Sequence, residues 1–199
     1  MIEYRLTMKI LREVGITILI AIAIFFCLRA TVQGQDVHGV CMLPNIEHGE
    51  LVMVNKATYW FSDPQRGDVI VFDPPVPSEY PFIKRVIGLP GETVEVKNGQ
   101  VFINNILLDE PYILPEPPRR NKNFGPEELS DSEYFVLGDN RNNSNDSRSW
   151  GLIKRDSIIG KAWFVYWPPD KCELVKHYSP DPDIGGKGIG VCIPIRGIT

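Results

Sequence analysis

Apolar residues dominate one stretch near the N-terminus and alternate with polar residues afterwards. Residues 15–28 read GITILIAIAIFFCL and carry no charge, and Val14 lengthens the run by one. Arg5, Lys9 and Arg12 precede it and Arg29 closes it. A helix crossing a bilayer needs about 20 apolar residues. Ile10 and Leu11 extend the run toward that length if Arg12 and Arg29 reach back to the two interfaces. A cleaved leader has the same order of charge and apolar core, but the small residues around 30–34 make a poor cleavage site. A buried core helix would be apolar along one stripe, and this run is apolar on every face. The expectation is one N-terminal transmembrane helix within residues 1–32. Basic residues ahead of the run place the N-terminus in the cytoplasm and the remainder outside it.

Beyond residue 35 the pattern changes to short strands. Residues 50–55 (ELVMVN), 68–72 (DVIVF), 133–137 (EYFVL) and 160–166 (GKAWFVY) are apolar or alternating runs of strand length. Residues 82–87 (FIKRVI) alternate apolar and basic side chains, which predicts a strand with one buried face. Residues 93–96 and 101–104 flank Asn98-Gly99, the pair favoured in a two-residue type I′ hairpin. Residues 111–132 are rich in Pro, Asn and charge and are expected to form a long surface loop or flexible insertion. Residues 173–199 are expected to be a flexible tail. The fold class is therefore mostly β: an extracytoplasmic domain over 33–172, with an inserted hairpin and loop region at about 93–132.

Composition narrows the function. Hydrophobic residues are 43% and charged residues 23% of 199, ordinary for a globular chain. The net charge is −4, so no broad basic surface is available for nucleic acid. Four cysteines without a CxxC pair suggest neither a disulfide scaffold nor zinc, and no cofactor or metal is expected. If any cysteines pair, Cys172 and Cys192 are the candidates, whereas Cys27 lies within the anchor.

Three stretches could carry chemistry. Cys41 stands in a turn flanked by Gly39 and Pro44 and is a candidate nucleophile, though a buried structural cysteine is the plainer reading. Lys84 shares a strand face with Phe82 and Val86. An amine among apolar neighbours loses hydration, and its neutral form can act as a general base. An exposed lysine at a sheet edge is the alternative. Residues 138–148 (GDNRNNSNDSR) follow an apolar strand and are dense in donors and acceptors. There Asp146 and Arg148 could pair, and Ser144 could bond a nearby amine. A solvated turn would read similarly.

Taken together, these stretches resemble the type I signal peptidases, the membrane-anchored Ser/Lys proteases that release exported proteins. The family's nucleophile-Met-x-Pro pattern corresponds to Cys41-Met42-Leu43-Pro44. Its Arg-Gly-Asp strand corresponds to 66–72, its lysine box to 84–92, and its Gly-Asp-Asn-Arg-x-x-Ser-x-Asp-Ser-Arg box to 138–148. The resemblance implies a coiled β-sheet catalytic core with a smaller β insertion. It implies Lys84 as general base, Ser144 holding its amine, and Asp146 with Arg148 as a structural ion pair. It also implies pre-proteins with small residues three and one positions before the cut as substrates. The implied partners are the lipid bilayer and, as a further candidate, the export machinery. Tyr59-Trp60-Phe61 suits interfacial contact or ordinary core packing.

Two positions depart from the family pattern. The nucleophile position holds Cys41 instead of serine, and Asn45 replaces the threonine after the Met-x-Pro. Gly39 provides no oxyanion hydroxyl, which leaves backbone N–H groups, that of Cys41 among them. Cys41 can be a native thiol nucleophile, a substitution, or the mark of a weakened relative. Three other readings differ in class. A self-cleaving repressor would share the dyad but not the anchor. A Cys/His protease would need His38, His48 or His177 as base. An inactive anchored binding protein would keep the fold without the chemistry.

Overall fold

The computed structural model describes residues 2–114 and 123–178, with side chains from residue 9 onward. Helix α1 spans Ile2–Thr31, and its segment Lys9–Thr31 is apolar and exposed as far as Ala30. Twenty-three residues at 1.5 Å each make about 34 Å, enough for a hydrocarbon core of about 30 Å.

All strand pairs described are antiparallel. The strands, in chain order, are β1 (Val32–Asp36), β2 (Leu51–Asn55), β3 (Val69–Phe72), β4 (Phe82–Gly88), β5 (Thr93–Lys97), β6 (Gln100–Ile103), β7 (Ile106–Leu107), β8 (Phe124–Glu128), β9 (Glu133–Leu137), β10 (Ile153–Lys154), β11 (Ile158–Trp167) and β12 (Glu173–Leu174). The larger sheet runs β1-β2-β11-β3-β4-β9-β10, with β12 paired to β11. The smaller sheet, β7-β6-β5-β8, is built from the segment between β4 and β9. Its β5–β6 hairpin turns at Asn98 and Gly99, both with positive φ (53° and 82°), as the type I′ pair predicts.

Three apolar clusters hold the sheets. Met42, Ile46, Val52, Val54, Val69, Val71, Ile83, Val165 and Val175 form one. A second lies under the smaller sheet around Val94, Val101, Ile103 and Phe135. The third collects Ile70, Phe72, Val86 and Val136.

Three expectations need correction. β4 is buried along nearly its whole length and not on one face, and Arg85 is fully enclosed. Within the expected loop 111–132, residues Phe124–Glu128 pair with β5, Phe124 stacks on Phe135 at 4.6 Å, and Leu129 is buried. A Gly-Pro pair and acidic side chains on an edge strand gave that segment a loop-like composition. Residues 115–122 lie outside the described residues. In the expected tail, residues 173–178 pack on the domain. β12 pairs with β11, and Val175 is buried because its apolar side chain completes the first cluster. Residues 179–199, Cys192 among them, lie outside the described residues.

Candidate active site

The site lies where three chain segments meet the middle of the larger sheet. Lys84 comes from β4, the strand between β3 and β9. Its side chain is 3% exposed, as its two apolar face-mates lead one to expect. The Nζ donates to Cys41 Sγ at 2.9 Å and to the Ile83 carbonyl at 2.9 Å. The Cys41 sulfur is itself 3.8 Å from the same carbonyl. Thiol and amine, 43 positions apart in the chain, therefore share one half-buried pocket.

The turn that carries Cys41 joins β1 to β2. Met42 and Ile46 anchor it in the first core cluster, and the N–H groups of Asn45 and Ile46 close on the Met42 carbonyl at 2.9 and 3.0 Å. The loop after β9 grips it from the side. Asn140 donates its backbone N–H to the Cys41 carbonyl at 2.9 Å and its amide to the Val40 carbonyl at 3.0 Å. Gly138 makes this approach possible, because a side chain there would overlap Ser144 Oγ and the Cys41 carbonyl.

The same loop carries the expected ion pair. Arg148 meets Asp146 with two bonds, Nε to Oδ1 at 2.8 Å and Nη2 to Oδ2 at 2.7 Å. Asp146 also caps the short helix α2 (Ser147–Trp150) and accepts the Gly138 N–H at 3.2 Å. Burial pushes the Asp146 carboxyl up, but the bonds and charge of Arg148 outweigh it and hold the group below the ordinary carboxylate value.

Ser144 is buried next to Gly138, and its hydroxyl lies close enough to the Asp146 carboxylate to help hold that group ionised. The Lys84 amine it was expected to hold is bonded to the Ile83 carbonyl and to the thiol. Tyr59 is buried with its hydroxyl on Asp68, while Trp60 and Phe61 are exposed. The Lys56 N–H, three residues before Tyr59, bonds to the carbonyl of Thr31, the last residue of α1. Among the described residues no group of three His, Cys, Asp or Glu side chains could hold a metal.

A second buried ion pair escaped the sequence reading. Arg85 forks onto Asp139, Nε to Oδ1 at 2.8 Å and Nη2 to Oδ2 at 2.6 Å, with both side chains excluded from water. Asn45, at the position where threonine was expected, donates to Asp139 Oδ2 at 2.8 Å and to the Tyr112 carbonyl at 2.9 Å. A signal for this pair did exist. An arginine between apolar residues on a buried strand requires an acid, and Asp139 is the first one after β9.

Comparison with known proteins now decides the family. The model of the family described as signal peptidase, peptidase S26, matches residues 11–167. The chain belongs to the signal peptidase S26 family. The signal peptidase I of Leptolyngbya laminosa is 40% identical over 172 residues, covering 82% of this chain and 81% of that one. A probable signal peptidase I-1 of Synechocystis is 47% identical over 137 residues, 65% and 68% of the two chains. The crystal structure of a signal peptidase I from Enterococcus faecalis V583 is 36% identical and covers 50% of this chain and 97% of its own, with a TM-score of 0.44. The signal peptidase S26 match includes Cys41, Lys84 and the whole 138–148 loop, so the site described above lies inside the family's own region.

Proposed function

We propose that this signal peptidase S26 member is a membrane-anchored endopeptidase that removes signal peptides from exported pre-proteins. On this reading Cys41 and Lys84 form the dyad, and cleavage follows small residues at the −3 and −1 positions. The 2.9 Å contact between the Lys84 amine and the Cys41 sulfur is the observation that carries it. A thiol ionises far more readily than a serine hydroxyl, so the amine need only accept and return one proton. The Cys41 thiolate attacks the scissile carbonyl and forms a tetrahedral intermediate. Its collapse breaks the C–N bond, and the Lys84 ammonium protonates the leaving amine. The neutral amine then takes a proton from the water that attacks the thioester, and the sulfur leaves and recovers that proton. The Cys41 N–H has no partner among the described residues and is the candidate oxyanion donor.

Helix α1 serves as the anchor, with its basic N-terminal flank in the cytoplasm and the sheets outside. Ser144 keeps its place as a supporting residue, since its hydroxyl and the Cys41 carbonyl both close on Gly138. The bilayer and pre-proteins are the partners this reading requires, and the export machinery is a further candidate.

Cleavage of a pre-protein bearing an Ala-x-Ala site, in detergent, tests the reading. The unaltered chain is expected to cut, alkylation of Cys41 to abolish cutting, and Lys84→Ala to act as a blank. If only Cys41→Ser cuts, the natural chain is an inactive relative that binds without cleaving, and the reading fails.

A further inference from the structure

We infer that the segment 173–178 is a strap that sets the position of the Cys41–Lys84 pair, with Tyr178 as a positioning residue acting through Arg85. The inference rests on the peptidase reading for its kinetic consequence only. After β12 the chain leaves the sheet surface and crosses the foot of β3 and β4. The Val175 N–H bonds to the Trp163 carbonyl at 3.0 Å, and the Val175 side chain enters the cluster that holds Met42 and touches Cys41. His177 Nδ1 accepts the Val69 N–H at 3.2 Å. The Lys176 carbonyl accepts from Arg85 Nη1 at 3.0 Å. The Tyr178 ring lies 5.4 Å from the Arg85 guanidinium carbon, and Tyr112 lies 4.4 Å from it, so two aromatic faces enclose the cation.

This arrangement matters because Arg85 has few other partners and its ion-pair partner leads to the site. It neighbours Lys84 on β4 and forks onto Asp139. Asp139 in turn receives the Asn45 amide from the nucleophile turn. Asn140, the next residue, holds the Cys41 carbonyl. The remaining Arg85 bond goes to the Gly67 carbonyl at 2.8 Å. Gly67 has φ +85°, and any side chain there would overlap the Tyr178 carbonyl, so the strap's path requires glycine at this position. Without the strap, the guanidinium loses a carbonyl and one aromatic wall, and water enters beside the Arg85–Asp139 pair. A shift of even a fraction of an ångström in Asp139 passes to Asn45 and Asn140 and so to both sides of the Cys41 turn.

The test compares four variants of the full membrane-anchored protein in detergent: Tyr178→Phe, Tyr178→Leu, a stop after Tyr178 and a stop after Cys172. Pre-protein cleavage gives kcat and KM, iodoacetamide gives the alkylation rate of Cys41 at fixed pH, and thermal unfolding reports the fold. Tyr178→Phe and the stop after Tyr178 should match the unaltered protein. Tyr178→Leu and the stop after Cys172 should lower kcat at least about tenfold, with KM within about twofold, and slow alkylation in parallel. Unaltered kcat and alkylation in Tyr178→Leu would overturn the inference. So would equal damage from the two stops. A variant that unfolds, with Cys41 alkylated as fast as in denaturant, would make the segment a general stabiliser and overturn it too. If the unaltered chain fails to cleave, the peptidase reading falls, while the alkylation comparison still decides the strap.

Discussion

The Lys84 amine and the Cys41 sulfur are 2.9 Å apart, and the lysine that makes this contact is almost wholly buried. Enclosing an amine costs hydration, and the bonds to the Cys41 sulfur and the Ile83 carbonyl offset part of that cost.

Replacing Lys84 with Met should separate chemistry from stability. The apolar side chain fits the same space and removes the amine that the proposed mechanism uses to move the proton. Cleavage should fall by roughly 10²–10⁴-fold, while the unfolding midpoint stays level or rises. A parallel fall in both would make Lys84 a structural residue.

Asp139→Asn should act mainly on the fold. It leaves the Arg85 cation enclosed with no anion, and breaking a buried pair in this way costs about 3–5 kcal/mol. Denaturant unfolding followed by Trp fluorescence measures the change. The exposed Lys171–Glu47 pair is the control, and Glu47→Gln should change stability far less than Asp139→Asn does.

The pH dependence of stability should carry a mark from His177. Burial first, then the nearby Lys161 and Arg85 cations, push this imidazole down to about 4, against the opposing pull of Asp68. The unfolded chain holds its histidine near 6.5, so between about 4 and 6.5 it binds more protons than the folded one. Stability is therefore full above pH 6.5 and falls as pH drops through this window. The loss is roughly 1–2 kcal/mol, allowing for the quarter of the side chain that water reaches. His177→Asn keeps an acceptor for the Val69 N–H and removes the titration. Its melting temperature should fall less than that of the unaltered protein between pH 6.5 and 4.5.

These residues also show how far the sequence could be read. Lys84 was legible because two apolar residues share its strand face, and the β5–β6 hairpin because Asn98-Gly99 prefers positive φ. The Asp146–Arg148 pair was legible because its members are two residues apart. Arg85 and Asp139 are 54 positions apart, and Arg85 and Lys176 are 91 apart. No local pattern reports such contacts. The strap was obscured by the Gly- and Pro-rich stretch that follows it, and β8 by its own Gly-Pro pair. In both cases tertiary pairing overrode local composition.

Gly138→Ala gives the most direct view of how the loop after β9 sets the turn that carries Cys41. A methyl group at this position has no room, since the Cys41 carbonyl and the Ser144 side chain already occupy it. The loop or the turn must move, and the Asn140–Cys41 bond of 2.9 Å is the contact nearest the collision. Overpacking of this kind costs about 1–3 kcal/mol in stability. The effect on turnover should be larger than that, near 10²-fold, because sub-ångström displacement of an attacking atom is costly in a preorganised site. Single-turnover cleavage alongside unfolding of the same protein distinguishes the two effects. Asn140→Ala, which keeps the backbone bond and removes the side-chain contacts to Val40 and Asn143, should retain most of the activity that Gly138→Ala loses. If the two variants were equally impaired, the side-chain bond to Val40 would hold the turn and the backbone contact at Cys41 would be incidental.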